Sequence, residues 1–391
     1  MGGHSSYMDF PVEEYQSRVD KLRVLLDQTK IDAIIVSEYN NFRYFAGFDR
    51  PYAGWSGYLK TRPFLCFLPK EGDPVLLVHA AFKGAVSQAS WIKDIRTWSS
   101  LPFQAETLKN FLKELNFGKK ITLGFELGGE QRLGFPTQVY LDLVKELPQV
   151  KFVDLSEILT KLRLIKSPLE VECIRNACKI MNQGYHDLFQ MAGERFSAKD
   201  IKFNLSKLLM VEEGEGPNFV SPSIFPDGVI GGLTTERTLS RGDLLWIDAG
   251  AIFKGYRCDF SRIATVGKPS QEQMRYYKLI RDITFITLSS IKPDQKIPEL
   301  VKICDSEMEK AGLPPKAAGR IGHGIGLDTA EAPSVMKDDQ TVLEPGMVIT
   351  IEPGYLTKCG YFVLEEIVVV TEEGYRLLTD LSPEEPFRIQ G

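Results

Sequence analysis

Asp248 and Asp259 stand eleven residues apart in a stretch that otherwise reads as apolar strand: Leu244-Leu245-Trp246-Ile247-Asp248-Ala249-Gly250, then Tyr256-Arg257-Cys258-Asp259-Phe260-Ser261, with Phe253-Lys254-Gly255 between. A hairpin closing at Phe253 and Lys254 sets the two acids opposite each other on one face of a sheet. Like charges so placed destabilise a ribbon unless a cation neutralises them or one carboxylate keeps its proton. A second ribbon repeats the pattern. Glu352 ends Val348-Ile349-Thr350-Ile351-Glu352-Pro353-Gly354, and Glu365 lies in Phe362-Val363-Leu364-Glu365-Glu366-Ile367, with a turn near Lys358-Cys359-Gly360. Between the ribbons comes Gly322-His323-Gly324-Ile325-Gly326-Leu327-Asp328, where glycines on both sides of one imidazole let the backbone approach a crowded site. A lone strand aspartate or a lone histidine among glycines is more often structural; it is the set of five that points to metal. Four carboxylates and one imidazole suit one or two divalent ions of the Mn, Co, Fe or Zn type, and a charge of about −4 balances two of them. Glu366 belongs to the opposite face of a regular strand and is not expected to be a ligand.

The elements that must carry these residues follow from the rest of the chain. With 391 residues, two domains are expected, 1–160 and 161–391. A hydrophobic fraction of 43% and a charged fraction of 25% exclude collagen-like and disordered classes, and a net charge of −5 without a basic run argues against nucleic acid as a partner. No apolar stretch approaches membrane-spanning length. The six cysteines are dispersed with no CxxC pair and no basic-then-apolar leader precedes them, which reads as reduced thiols in a cytoplasmic protein. Cys258 has no histidine base nearby in sequence and reads as a buried structural thiol.

The first domain reads as α/β with a mixed sheet. An amphipathic helix over 13–30 places Tyr15, Val19, Leu22 and Leu26 on one face, and short β-rich runs follow at 31–36, 64–68, 75–78 and 121–124. Helices are expected at 105–115 and 137–147, and Tyr44 to Phe48 reads as a strand leading into an aromatic, Gly-rich loop at 50–60. From Leu162 to Met191 the pattern is that of one long helix, with Ser167 as N-cap and Pro168 at its first position. Beyond it, helices near 197–211, 270–290 and 297–311 alternate with hairpins at 244–265 and 347–370, an α+β arrangement.

The motifs Asp248-Ala249-Gly250 with Asp259, Gly322 to Asp328, Ile351-Glu352-Pro353-Gly354 and Val363 to Gly374 resemble those of the pita-bread metallopeptidases, in their prolidase, aminopeptidase P and creatinase branch. The likeness extends to Asn41 to Phe48 and to Arg163-Leu164-Ile165-Lys166-Ser167, and so covers nearly the whole chain. It implies an α+β pita-bread catalytic domain preceded by a creatinase-type α/β domain, acting as a homodimer. It further implies that Asp248 binds one metal, that Asp259 and Glu365 bridge two, and that His323 and Glu352 bind the other. Glu352 would also handle the proton of the attacking water, with His323 beside it in the catalytic centre. The reaction implied is hydrolysis of an amide bond in a dipeptide-like or other small substrate, by hydroxide generated between two divalent ions.

The chain also departs from that branch. The histidine expected seven residues after His323 is replaced by Ala330, the one preceding Arg237-Thr238-Leu239 is absent around Gly231, and the arginine two residues before Glu365 is Val363. Losing a donor to developing charge costs about 2.7–4 kcal/mol. Altered substrate specificity is therefore expected. Other readings are a small- or cyclic-amide hydrolase, a lyase, or a catalytically silent binding protein. Tyr52, Trp55 and Tyr58 of the 50–60 loop are candidates to shape a pocket by cation–π contact.

Overall fold

The structure, a computed structural model, describes residues 8–48, 62–116, 120–231, 233–314 and 319–390. The 50–60 loop with Tyr52, Trp55 and Tyr58 lies outside the described residues. The chain divides into two compact units, Met1–Arg163 and Leu164–Gly391.

The first unit is built on a six-stranded sheet of β1 (Ala33–Val36), β2 (Leu65–Pro69), β3 (Val75–His79), β4 (Asp94–Trp98), β5 (Thr122–Phe125) and β6 (Lys151–Asp154), in the spatial order β4-β3-β2-β1-β5-β6. β1 pairs antiparallel with β2 and parallel with β5, so the sheet is mixed. All four residues of β1 are buried, as an unbroken apolar run requires when helices cover both faces. α1 (Val12–Thr29) buries Tyr15, Val19, Leu22 and Leu26. α2 is Tyr39–Ala46, α3 Lys83–Ala89, α4 Ala105–Glu114, α5 Thr137–Glu146 and α6 Ser156–Leu164. On α4 the fully buried Leu108, Phe111 and Leu112 meet Phe67 and Leu77 of the sheet, each such side chain contributing about 1.5–3 kcal/mol.

One local expectation fails here. Tyr44 to Phe48 is not a strand: Tyr44, Phe45 and Ala46 close α2, because the Glu38 carboxylate accepts from the Asn40 and Asn41 N–H groups at its start and Gly47, at φ 69°, ends it. Bulky aromatics there favour neither state strongly enough to override the caps. The long helix expected behind Ser167, with Pro168 at its first position, is present, and the Leu162 to Lys166 stretch ahead of it belongs to a separate helix and its exit. α6 stops at Leu164 and α7 (Pro168–Met191) restarts behind a Ser167–Glu170 capping box, since Pro168 cannot donate to a continuing helix.

The second unit carries α7, α8 (Ala198–Leu208), α9 (Gln271–Ser289) and α10 (Ile297–Lys310). One sheet joins β7 (Pro217–Phe225), β8 (Leu244–Phe253), β9 (Tyr256–Arg257), β10 (Phe260–Val266) and the carboxy-terminal β18 (Phe387–Ile389), in the order β18-β10-β8-β7 with β9 on β8. The other joins β11 (His323–Gly324), β12 (Glu331–Ser334), β13 (Val348–Ile351), β16 (Glu366–Thr371) and β17 (Gly374–Leu377), in the order β12-β11-β13-β16-β17. A two-stranded ribbon, β14 (Gly354–Thr357) and β15 (Gly360–Val363), connects β13 to β16. One core of buried side chains, among them Trp246, Ile263, Ile280, Leu300, Ile349 and Val368, runs through both sheets, α9 and α10.

Glu126 of the first unit, 1% exposed, accepts from Ser37 N at 2.8 Å, Ser37 Oγ at 2.9 Å, Glu38 N at 3.0 Å and Asn41 Nδ2 at 2.8 Å. Desolvation outweighs these donors and pushes its pKa up to about 7 from 4.5. A carboxyl raised in the folded state stabilises fully below its unfolded pKa and loses that contribution as pH climbs through the folded value. Between pH 4.5 and 8 the wild type should therefore lose about 3 kcal/mol relative to Glu126→Gln. Urea unfolding of both proteins at several pH values measures this, and parallel pH profiles would refute it.

Candidate metal centre

Asp248 is held mid-strand on β8. The β8 hairpin closes through Lys254 and Gly255, at φ 49° and 80°, the two positive values that a two-residue primed turn requires. The register therefore differs by two residues from the one expected. Ser261, not Asp259, stands opposite Asp248. A shift of two preserves the side-chain face, and Asp259 reaches the site from the irregular step between β9 and β10. There the Cys258 carbonyl presses against Gly250, where a Cβ would come within 2.1 Å of it. Cys258 is a buried thiol whose sulfur accepts from Ala251 N at 3.2 Å.

The second ribbon holds its register across the site. Ile351 pairs with Glu366 and Gly354 with Val363, which sets Glu352 opposite Glu365. His323 enters from β11. A Cβ on Gly322 would fall 2.0 Å from Thr350 O and one on Gly324 2.1 Å from Ala332 O, so both flanking glycines are dictated by backbone contact. The His323 Nδ1 lies 2.9 Å from Gly324 O. A carbonyl can only accept, so Nδ1 carries the proton and Nε2 presents its lone pair. Nε2 stands 3.6 Å from both Asp259 Oδ2 and Glu352 Oε1.

The ligand atoms of Asp259, His323 and Glu365 lie within 4.8 Å of one another, all three residues buried. Asp248 Oδ1, Asp259 Oδ1 and Glu365 Oε1 are buried and accept no hydrogen bond among the described residues. Orphaned anionic oxygens cost several kcal/mol each in an interior unless a cation meets them. Burial first, and then the neighbouring carboxylates, raises Asp248 and Glu365 well above the usual range. Asp259 is pushed up to about 7 by burial and by Glu352. Burial lowers His323, which favours the neutral ring that a metal needs. The donor set and its empty valences fit divalent metal.

Supporting contacts were not foreseen from sequence. On α7, the Tyr185 hydroxyl lies 2.7 Å from Phe260 O and 3.1 Å from Ile247 O, bracing the strands that carry the aspartates. Arg262 donates to Ser261 O and Glu365 O, both at 2.9 Å, and to Asp380 O at 2.6 Å, and pairs with Glu366 at 3.2 Å. Glu366 is fully buried and also accepts from Ser382 N, Ser382 Oγ and Thr379 Oγ1. It faces away from the centre, as strand parity requires. The available signal was Arg262 itself, a cation inside the buried run of β10.

Beside Asp248 opens a cleft of about 510 Å³, lined among others by Lys202, Ser206, Asn218, Phe219, Ser221 and Gly231. Asn218 Nδ2 donates to Thr329 Oγ1 at 2.7 Å, next to exposed Ala330, and Val363 is buried at 2%.

The description of metallopeptidase family M24 matches residues 172–372, half of the chain, and that of the creatinase/prolidase N-terminal domain matches residues 18–165. The chain is 27% identical over 373 residues to the Xaa-Pro dipeptidase of Pyrococcus furiosus, covering 94% of this chain and 99% of that one. The crystal structure of the prolidase from Pyrococcus horikoshii OT3 is similar with a TM-score of 0.80 at 25% identity, over 94% of this chain and 99% of that one. The Xaa-Pro dipeptidase from Bacillus anthracis shares the fold with a TM-score of 0.81 at 24% identity, over 96% and 99%.

Two outcomes follow from the geometry. Mn²⁺ should raise the wild-type melting temperature, reversibly with chelator, and should leave Asp259→Ala unshifted in the same thermal scan. Arg262→Met strands Glu366 without its cation and should cost about 3–5 kcal/mol in chemical denaturation.

Proposed function

The chain belongs to metallopeptidase family M24, and from that premise we propose that it hydrolyses the amide bond of Xaa-Pro-type or related small substrates, with Asp248, Asp259, His323, Glu352 and Glu365 holding two divalent ions. Its catalytic unit has the pita-bread α+β fold, and its amino-terminal unit is the α/β domain of the creatinase and prolidase branch. The observation that carries the proposal is the clustering of Asp259, His323 and Glu365 ligand atoms within 4.8 Å, with buried carboxylate oxygens on Asp248, Asp259 and Glu365 that accept no hydrogen bond among the described residues. Divalent ions bound there would lower the pKa of water and polarise a substrate carbonyl. The Xaa-Pro dipeptidase named among the relatives supports the substrate class.

The residues divide the remaining work. Glu352, at 22% exposure, is more open than Asp259 or Glu365 and stands at the mouth of the centre. It takes a proton from the attacking water and returns one to the leaving amine. His323 is fixed in one tautomer by Gly324 O and stays a ligand throughout. The cleft is of dipeptide size. Its walls carry Gly231 where the resemblance to the branch implies a histidine, Ala330 lies exposed nearby, and Val363 brings no cation. These positions support a substrate preference shifted away from ordinary Xaa-Pro dipeptides.

No helix among the described residues is long and apolar enough to cross a membrane. By its resemblance the protein is proposed to be a cytoplasmic homodimer. Mn- or Co-loaded protein assayed against Xaa-Pro dipeptides and small amides should hydrolyse some of them, with ordinary Xaa-Pro dipeptides among the slow substrates. Glu352→Gln should lower kcat by about 10²–10⁴-fold. Absence of any metal-dependent hydrolysis would sink the reading, and turnover of ordinary Xaa-Pro dipeptides at full enzymatic rates would sink the altered preference.

A further inference from the structure

We propose that Tyr361 is a catalytic residue of this centre, its phenol donating a hydrogen bond to the substrate's scissile carbonyl oxygen as negative charge develops there; the inference rests on the amide-hydrolase reading above. Tyr361 lies on β15, opposite Leu356 of β14. Strand parity puts it on the same face as Val363 and Glu365, in a register that continues unbroken to the Ile351–Glu366 pair. On β8, Trp246 and Asp248 share a face in the same way, and the Trp246 ring packs edge-on against Tyr361, centroids 5.0 Å apart at 71°. The phenol is thereby fixed between the strand that carries Asp248 and the ribbon that carries both glutamates.

Its hydroxyl lies beside Gly354, two residues beyond Glu352, where a Cβ would sit 3.1 Å from it. Among the described residues it makes no hydrogen bond of its own. Burial, followed by the charges of Glu352, Asp248 and Glu365, pushes its pKa up to about 12, so it keeps its proton at neutral pH and remains a donor. The side chain two residues further along the same face is Val363, which offers no donor. Ala330 and the 230–231 stretch offer none either. On the face of β15 shared with Val363 and Glu365, Tyr361 brings a hydroxyl that can meet an oxyanion.

In the step concerned, the oxygen of water bonds to the carbonyl carbon and the C–N bond breaks with its electron pair passing to nitrogen. One proton of the water moves by way of Glu352 to the leaving amine, and the products are an amine and a carboxylic acid. Tyr361 keeps its own proton, contributing only a hydrogen bond that strengthens as the carbonyl oxygen gains charge.

The test is Tyr361→Phe, which retains the ring against Trp246. In Mn-loaded protein, kcat on the best dipeptide substrate should fall about 10²–10³-fold with KM changed less than about threefold. A phosphinic pseudo-dipeptide, tetrahedral at the scissile position, should lose a comparable factor in affinity by calorimetry, while Mn²⁺ affinity and melting temperature stay at wild-type values. Unchanged kcat and unchanged phosphinate affinity in a folded, metal-loaded variant would overturn the inference and leave the hydrolase reading standing. Loss of Mn²⁺ binding in the variant would also overturn it, by making the phenol a metal ligand. A wild-type protein that neither cleaves any amide nor binds the phosphinate would bring down the hydrolase reading and this inference with it.

Discussion

Mutual repulsion among four acids in a water-poor interior is the condition that the catalytic unit is built to hold. An apolar core would expel such groups or neutralise them by protonation. Here they are kept in place by strands that are buried along most of their length, and by donors set behind them rather than among them. Arg262 shows the arrangement. Its guanidinium binds the main chain at Glu365 and the side chain of Glu366, compensating charge one layer below the centre without entering it. Tyr185 does the same for the aspartate strands through their carbonyls. The carboxylate oxygens that face inward are left for a cation.

Much of this was legible in the sequence because chemistry and pattern disagreed there. An aspartate inside Leu-Leu-Trp-Ile, or paired glutamates inside a Val-Leu…Ile-Val-Val run, contradict the period of a buried strand, and each such conflict fell at the centre. The outward orientation of Glu366 followed from parity alone. The register of the first hairpin was less legible. Phe253-Lys254 and Lys254-Gly255 are both plausible turn pairs by spacing, and only the positive φ values of the second pair decide between them. The error of two residues left the face of Asp259 intact.

Other features were hidden for reasons that are equally physical. α2 is set by the Glu38 side chain and by Gly47, which lie outside the aromatic run that suggested a strand. Arg262, Tyr185 and Tyr361 act across long sequence separations, and no local pattern announces a partner 62 to 118 residues away. The departures at Ala330, Gly231 and Val363 were plain from the resemblance, but the packing of Tyr361 against Trp246 is visible only when β8 and β15 lie side by side.

The continuous pairing from β13–β16 into β14–β15 also bears on how such a protein can diverge. Both glutamates are registered by hydrogen bonds on either side of them, so the Lys358-Cys359 tip has no part in aligning them. Insertions at that tip would lengthen the ribbon outward and leave the glutamate spacing untouched. A single-residue deletion between Glu352 and Gly354, by contrast, would turn one acid out of the centre. The ribbon's outer end is thus a place where lineages can vary in length freely while the chemistry beneath it stays fixed.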